Sequence, residues 1–169
     1  MDGINSENTP IGTAVSLSYK LPDKWDDGYV DRISKQKACD KILVYQKTGS
    51  ALPDALDKAA SGQWKISRAL DIGDRLDPDL CRNMKRAEVI DQRTTFKDMD
   101  GSRRAYYEFD LTVTPDDDPS RKDDIIFFVS ATVLNKRLFV CIAQCGEVQL
   151  KRAGTDLQLV RSSFQVKDA

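Results

Sequence analysis

Two apolar runs separated by a short polar break constrain the fold of this chain more than any other feature. They lie between Asp123 and Cys145, with Asn135-Lys136-Arg137 as the break. Runs of this length, rich in β-branched and aromatic residues, predict an antiparallel hairpin. Both alternating faces of the first run are apolar, whereas a strand with one solvated face would alternate apolar with polar. We therefore expect this hairpin at the centre of a sheet that is covered on both sides.

The order of the remaining segments predicts an α+β domain. Four long segments, 87–97, 103–114, 123–134 and 137–145, alternate as the strands of an antiparallel meander. Helical patterns precede the meander at 53–60 and from 77 onwards, and one follows it at 147–161, with a break near Gly154. Shorter strands are predicted at 15–21, 29–33, 42–46 and 163–166. Helices on both faces of a central antiparallel β-sheet make an α/β/α sandwich.

Length and terminal composition predict one domain. The chain has 169 residues, the size of a typical domain, and shows no internal repeat. Residues 15–169 are assigned to this single domain. Residues 1–14 are predicted to be a flexible tail. The first ten of them are polar and acidic, and they are neither a signal nor a transit peptide.

Composition excludes several classes of function. The 26 basic and 27 acidic side chains give a net charge of −1, so no global field attracts nucleic acid or an anionic membrane. The chain has no histidine, which excludes Ser-His-Asp and Cys-His catalysis. No phosphate loop or dinucleotide fingerprint is present, and no apolar stretch of ~18 residues could span a membrane. We expect a protein that is not an enzyme; the alternative is an enzyme that uses a glycosidase-like pair of carboxylates.

Four cysteines, at Cys39, Cys81, Cys141 and Cys145, allow three full pairings. Cys141 and Cys145 share one predicted strand and would lie about 13 Å apart. Because a disulfide spans at most about 7 Å between Cα atoms, these two cannot pair with each other. The alternatives are buried thiols, or one structural or regulatory disulfide such as Cys39 to Cys81.

The densest acidic cluster is a candidate calcium site. Asp116, Asp117 and Asp118 follow one another, and Asp123-Asp124 come shortly after. Calcium requires six or more oxygen ligands, and consecutive aspartates supply some of them. The spacing is not that of an EF-hand, and the alternative is a solvated acidic loop.

Three basic pairs are candidate contacts for a partner protein. The first two lie at or near the ends of predicted hairpins, where they could steer docking onto an acidic surface. The alternative is ordinary surface charge. The pairs are Arg103-Arg104, Lys136-Arg137 and Lys151-Arg152.

Four stretches, in this order and spacing, resemble the PsbP-domain family, the extrinsic lumenal proteins of photosystem II and their thylakoid relatives. Together they cover about residues 15–166. The stretches are Tyr-Lys-Leu-Pro-Asp-Lys-Trp at 19–25; Asp-Gly at 100–101 with Arg-Ala-Tyr-Tyr-Glu-Phe at 104–109; the central hairpin with Ser-Ala-Thr-Val at 130–133 and Leu-Phe-Val-Cys-Ile-Ala at 138–143; and Ser-Ser-Phe-Gln-Val at 162–166.

The resemblance implies a PsbP-like fold and a non-catalytic role in the chloroplast thylakoid lumen. It implies peripheral binding to photosystem subunits, photosystem II more than photosystem I, in support of assembly, stability or oxygen evolution, by a protein that is monomeric when free. In the founding subunit, calcium and chloride retention depends on an N-terminal extension that residues 1–14 do not resemble. We expect any targeting peptide to have been removed from this sequence. A second hypothesis is a redox-responsive lumenal protein regulated through its cysteines.

Overall fold

The computed structural model describes residues 2–7, 15–22, 25, 38–48, 84–99, 101–115 and 124–168. These residues form two antiparallel sheets and one long helix. The strands are β1 (Asp2–Glu7), β2 (Val15–Lys20), β3 (Lys41–Thr48), β4 (Met84–Met99), β5 (Ser102–Pro115), β6 (Ile125–Leu134), β7 (Arg137–Gly146) and β8 (Gln165–Asp168), and helix α1 spans Glu147–Ser162. No helix in these ranges is long and apolar enough to cross a membrane.

The predicted hairpin is confirmed as the centre of the larger sheet. That sheet has five strands in the order β3-β7-β6-β5-β4, so β6 and β7 have a neighbour on each side. The predicted meander is the β4-β5-β6-β7 part of it, and β3 adds to the outer side of β7. Almost every residue of β6 and β7 is buried, as expected for a hairpin covered on both faces.

Helix α1 and the second sheet cover one face of the five-stranded sheet, here called the helix-bearing face. Under α1, Leu157 and Val160 pack against Phe128 and Ala143. The smaller sheet, in the order β1-β2-β8, adds a further apolar cluster of Val15, Leu17, Met99, Tyr106, Phe139, Cys141, Phe164 and Val166. The described chain is therefore mostly antiparallel β-structure with one helix.

The opposite face carries a separate apolar cluster built from alternate residues of β5, β6 and β7. Its centre includes Phe109, Phe127, Val140 and Ile142, all buried. The predicted helices at 53–60 and from 77, which the sandwich places over this face, lie outside the described residues. The second helical layer accordingly stays a prediction.

Helix α1 begins and bends close to the predicted positions. The Gly146 N–H at its start donates to the Gln149 side chain at 2.8 Å, which satisfies one terminal backbone donor. The bend falls at Ala153, whose φ of −136° and ψ of 17° are not helical, one residue before the predicted break at Gly154. Ala153 at the bend is itself buried, together with Leu157 and Val160 of the second half of the helix.

The structure differs from the sequence prediction at the N-terminus. Residues 2–7, assigned to a flexible tail, form β1 and pair antiparallel with β2 from Asp2–Lys20 to Glu7–Val15. Residues 2–7 are mostly polar, with Ile4 as the one large apolar side chain among them, so no apolar alternation marked this strand in the sequence. The predicted Pro22–Trp25 turn is present, with the Trp25 N–H donating to the Pro22 carbonyl at 2.9 Å and Trp25 buried.

Candidate docking surface at one end of the central sheet

The β4–β5 and β6–β7 turns lie at the same end of the five-stranded sheet, here called the turn end. In an antiparallel meander successive connections alternate between the two ends, so the first and third connections share one. The register agrees: extending the Tyr107–Ala131 pair by four residues places Arg103 opposite Asn135. Two of the three predicted basic pairs thus lie at the same end of the sheet, one on β5 and the other at the β6–β7 turn and the start of β7.

The β4–β5 turn presents an aromatic ring covered by a cation. Met99 pairs with Ser102 across a two-residue turn, and Gly101 has a φ of 77°, which glycine adopts at no steric cost. Just below the turn the Arg103 guanidinium lies 4.4 Å from the centre of the Phe96 ring. Phe96 is 55% exposed. This stack holds a guanidinium plane and an apolar ring side by side on the surface.

The β6–β7 turn uses left-handed backbone at two residues that are not glycine. Asn135 has a φ of 52° and Lys136 a φ of 60°, the conformation of a type I′ hairpin turn. Asparagine tolerates this region well, but lysine rarely occupies it. Asn135 Nδ2 donates to Asp168 Oδ1 at 3.2 Å, which links the turn to the end of β8. Lys136 is exposed.

Arg137, the next residue, is buried. Its side chain is 6% exposed, and Nη1 has no hydrogen-bond partner among the described residues. No ion pair to Arg137 occurs in the described ranges either. A buried charge is costly unless it is paired, and such groups usually are paired. Arg137 was predicted to lie on the surface, and the structure corrects this. Arg137 shares the face of β7 with Phe139 and Cys141, which pack in the apolar cluster with the smaller sheet.

The Arg104 side chain makes its contacts within the molecule. Its guanidinium donates to the Val166 carbonyl of β8 and contacts Met99 Sδ at 3.7 Å. The Val166 N–H donates to the Tyr106 hydroxyl at 3.1 Å. These β5 side chains therefore satisfy the outer backbone edge of β8. Arg104 secures the C-terminal strand, whereas its neighbour Arg103 faces the opposite side of the sheet.

Lys97 extends the same attachment to the end of α1. Its ammonium donates to the carbonyls of Ser162 and Phe164 and lies 4.5 Å from the centre of the Tyr106 ring. A cation at the last carbonyls of a helix interacts favourably with the helix dipole. Burial lowers the pKa of Lys97 below its ordinary value. The segment 162–166 is thereby held to β4 and β5 by side chains.

The remaining predicted site residues lie elsewhere. Lys151 and Arg152 are exposed on the first half of α1, which starts where β7 ends, away from the turn end. Asp116, Asp117, Asp118 and Cys81 fall outside the described residues. In the part of the chain that is described, no group of three or more acidic or cysteine side chains is placed to hold a metal ion.

A cluster of buried charges, which was not predicted from the sequence, lies between α1 and β5. Arg161 is fully buried, and its Nη1 donates to Asp110 and to the Phe109 carbonyl. Arg161 Nε lies 3.3 Å from Glu108 Oε2, and Glu108 also accepts hydrogen bonds from Arg93 Nε at 3.0 Å and Ser162 Oγ at 2.8 Å. Two arginines thus balance two carboxylates. The shared parity of Glu108 and Asp110 in a predicted strand was the available signal.

The thiols of Cys141 and Cys145 lie in the core as free cysteines. Burial raises the pKa of each to about 12. The thiolate is the reactive form of cysteine, so these thiols are protected from oxidation near neutral pH. Cys39 is also buried. Because Cys81 lies outside the described residues, the Cys39–Cys81 disulfide stays a prediction.

The comparison with solved structures agrees with this architecture. The chain matches the solution structure of cyanobacterial PsbP (CyanoP) from Synechocystis sp. PCC 6803 with a TM-score of 0.53 and 16% sequence identity. The match covers 97% of this chain and 92% of that chain. This chain has a PsbP-like fold. A match to Ara h 8.0201, with a TM-score of 0.25, 12% identity and coverage of 72% of this chain and 97% of that one, bears no weight.

The PsbP-like fold is the fold that the four sequence stretches implied. No family model matches the chain, and the search of curated proteins gives no match. At this level of identity the likeness concerns the arrangement of the backbone, because a fold can support many functions.

Proposed function

We propose that this protein is a non-catalytic PsbP-like protein that binds photosystem subunits on the lumenal side of the thylakoid membrane. In this role it supports the assembly, stability or oxygen evolution of a photosystem, and photosystem II is the favoured partner. The observation that carries the proposal is the match to CyanoP over nearly the whole of both chains. The sequence stretches that resemble the PsbP-domain family support it independently.

The exposed chemistry of the turn end suits docking more than catalysis. Arg103 and Lys136 present cations, and Phe96 presents an apolar ring beside Arg103. Arginine and aromatic side chains are enriched in protein interfaces, and cations on the rim steer association with an acidic partner. The buried acids Glu108 and Asp110 are engaged by Arg93 and Arg161, so they join α1 to the sheet.

Co-sedimentation with purified photosystem preparations tests the proposal. The purified protein is incubated with photosystem II membranes, with photosystem I particles and with assembly intermediates, and the pellet is assayed for bound protein. We expect saturable binding to photosystem II that weakens as salt is raised, because cations on the surface steer the contact. Serum albumin in the same assay is the control for trapping. Failure to associate with any of these complexes would refute the proposal.

A further inference from the structure

We propose that Cys39 and Cys145 are a dithiol site, which a small disulfide oxidises to a Cys39–Cys145 bond while the chain folds. The bond joins the residues that precede β3 to the end of β7, next to the start of α1. Neither cysteine is disulfide-bonded in this structure, which shows the reduced state of the site. The inference does not depend on the proposed function, because it concerns contacts within the molecule.

The pairing of β3 with β7 brings the two cysteines opposite each other. Lys41 is the register partner of Gln144, and the Asp40 N–H donates to the Gln144 carbonyl at 2.8 Å. Two successive residues thus share one partner on β7, which is the arrangement of a β-bulge. The next residues along the two segments are Cys39 and Cys145. Residues directly opposite in an antiparallel pair have Cα atoms about 4.5 to 5.5 Å apart, which is within the span of a disulfide.

The side chains of both cysteines lie on the helix-bearing face of the sheet. Cys39 is 1% exposed and Cys145 is 0% exposed, and they belong to the same apolar cluster as Leu157 of α1. Burial raises the pKa of Cys145 to about 12, and the nearby Asp40 and Cys39 add to this effect. Because charges shift a pKa over short distances, the two thiols are close neighbours in the core.

Cys141 does not compete for Cys145. The two residues are four positions apart on one strand, a separation of about 13 Å that a disulfide cannot span. Cys141 also packs in a different cluster, with Phe139 and Val166 under the smaller sheet. Among the described cysteines, the geometry therefore assigns Cys39 to Cys145. This pairing competes with the predicted Cys39–Cys81 disulfide, because Cys39 can form one bond.

The oxidant is a small disulfide such as glutathione disulfide. The thiolate of one cysteine attacks a sulfur of the oxidant, releases one glutathione thiolate and leaves a mixed disulfide. The thiolate of the second cysteine attacks the protein sulfur of that mixed disulfide, forms the Cys39–Cys145 bond and releases the second glutathione thiolate. Two electrons pass from the protein to the oxidant, and the two protons lost by the cysteines go to the two glutathione thiolates.

The folded state protects the site from this reaction, so oxidation accompanies folding. Both thiols are buried in the native protein, and the raised pKa of Cys145 leaves little thiolate near neutral pH. In the unfolded chain both cysteines are exposed, with the ordinary pKa of about 8.5. The redox conditions during folding therefore set the state that the native protein keeps. A bond between residues this far apart in the sequence stabilises the native state by restricting the unfolded chain.

Refolding from urea in glutathione disulfide or in dithiothreitol tests this proposal. Remaining thiols are blocked with N-ethylmaleimide, and tryptic peptides of the monomeric fraction are mapped by mass spectrometry without reduction. After oxidative refolding we expect peptide 38–41, which contains Cys39, to be linked to peptide 138–151, which contains Cys145. We expect this protein to melt about 5 °C or more above the protein refolded in dithiothreitol.

The matched control is Cys141→Ala, because peptide 138–151 contains both Cys141 and Cys145. This variant should keep the link and the rise in melting temperature, whereas Cys145→Ala should lose both. Maps of the wild type and of Cys141→Ala decide the pairing even where Cys145→Ala does not fold. Four free thiols after oxidative refolding, intermolecular bonds alone, or a link from peptide 38–41 to peptide 76–82, which contains Cys81, would each overturn the proposal.

Discussion

At the scale of single residues, the packing of Arg161 against Glu108 and Asp110 removes three charges from water. Arg161 is fully buried and Glu108 is 3% exposed, so neither retains its hydration. Their mutual attraction and the added bonds from Arg93 and Ser162 offset this loss. The arginine also lies 5.4 Å from the centre of the Phe128 ring, on the floor formed by β6. The cluster fixes where α1 lies on the sheet.

Replacing Arg161 by leucine is expected to destabilise the protein by about 3 to 5 kcal/mol, because two buried carboxylates lose their main cation. Urea unfolding measures the change in the free energy of unfolding. Arg152→Leu makes the same substitution at an exposed position of the same helix and should change that free energy by less than about 0.5 kcal/mol. Equal effects of the two variants would contradict a special role for the buried cluster.

The thiols of Cys141 and Cys145 are expected to resist modification in the folded protein. Both are buried, and burial raises the pKa of each to about 12, so little thiolate exists at pH 8. Mass spectrometry after treatment with a disulfide reagent would locate the modified sites. We expect both cysteines to react in denaturant and neither to react in its absence. Rapid reaction of either thiol in the native state would favour the redox-responsive hypothesis.

At the scale of elements, β8 is held on its two edges by different chemistry. On one side it pairs with β2 through backbone hydrogen bonds, from Val15–Asp168 to Ser18–Gln165. On the other side Tyr106 and Arg104 satisfy the N–H and the carbonyl of Val166. A strand of four residues has few backbone partners of its own, so side chains of β5 complete its edge.

Tyr106→Phe is expected to lower the free energy of unfolding by about 1 to 3 kcal/mol. The substitution keeps the ring but leaves the buried Val166 N–H without an acceptor. Hydrogen exchange measured by NMR gives the specific signature, which is faster exchange of the Val166 amide relative to Leu17 on β2. Tyr107→Phe, at the neighbouring position on the opposite face, is the matched control. Unchanged exchange at Val166 would show that the hydroxyl does not support β8.

At the scale of the whole molecule, the buried thiols and tyrosines make the free energy of unfolding fall at alkaline pH. The pKa of Cys141 and Cys145 rises from 9.0 to about 12, so between these values the unfolded chain has lost protons that the folded chain retains. Their contribution is complete below about pH 9 and is lost as the pH approaches 12. Burial raises the pKa of Tyr19 and Tyr106 with the same sign. Lys97 opposes them, because burial lowers its pKa.

We expect the free energy of unfolding to fall as the pH rises above about 9, with a slope of about 1.4 kcal/mol per pH unit for each thiol. Urea unfolding at a series of pH values would measure this slope. The Cys141→Ala/Cys145→Ala variant should show a shallower fall over the same range. A flat profile for the wild type between pH 9 and 11 would show that these thiols ionise as readily in the folded state as in the unfolded state.

Local patterns carried most of the information on secondary structure. The meander from β4 to β7 and the extent of α1 follow from periodicity, because the repeat of apolar side chains along a strand or helix is a property of neighbouring residues. The strand β1 was not predicted, because its mostly polar side chains give no periodic signal. It forms through backbone pairing with β2. The PsbP-like fold was accessible from a resemblance in four short stretches.

Residues 123–145 alone require that their hairpin lies at the centre of a covered sheet, because both of its faces are apolar and must be buried. The tertiary structure alone decided which charges meet. Arg161 reaches Asp110 across 51 positions of the chain, and Arg104 reaches Val166 across 62. Such contacts depend on strand register and on how α1 and β8 lie over the sheet. Alternation along β5 places Arg103 and Arg104 on opposite faces, and the packing of β8 decides that Arg104 is the one that holds the C-terminal strand.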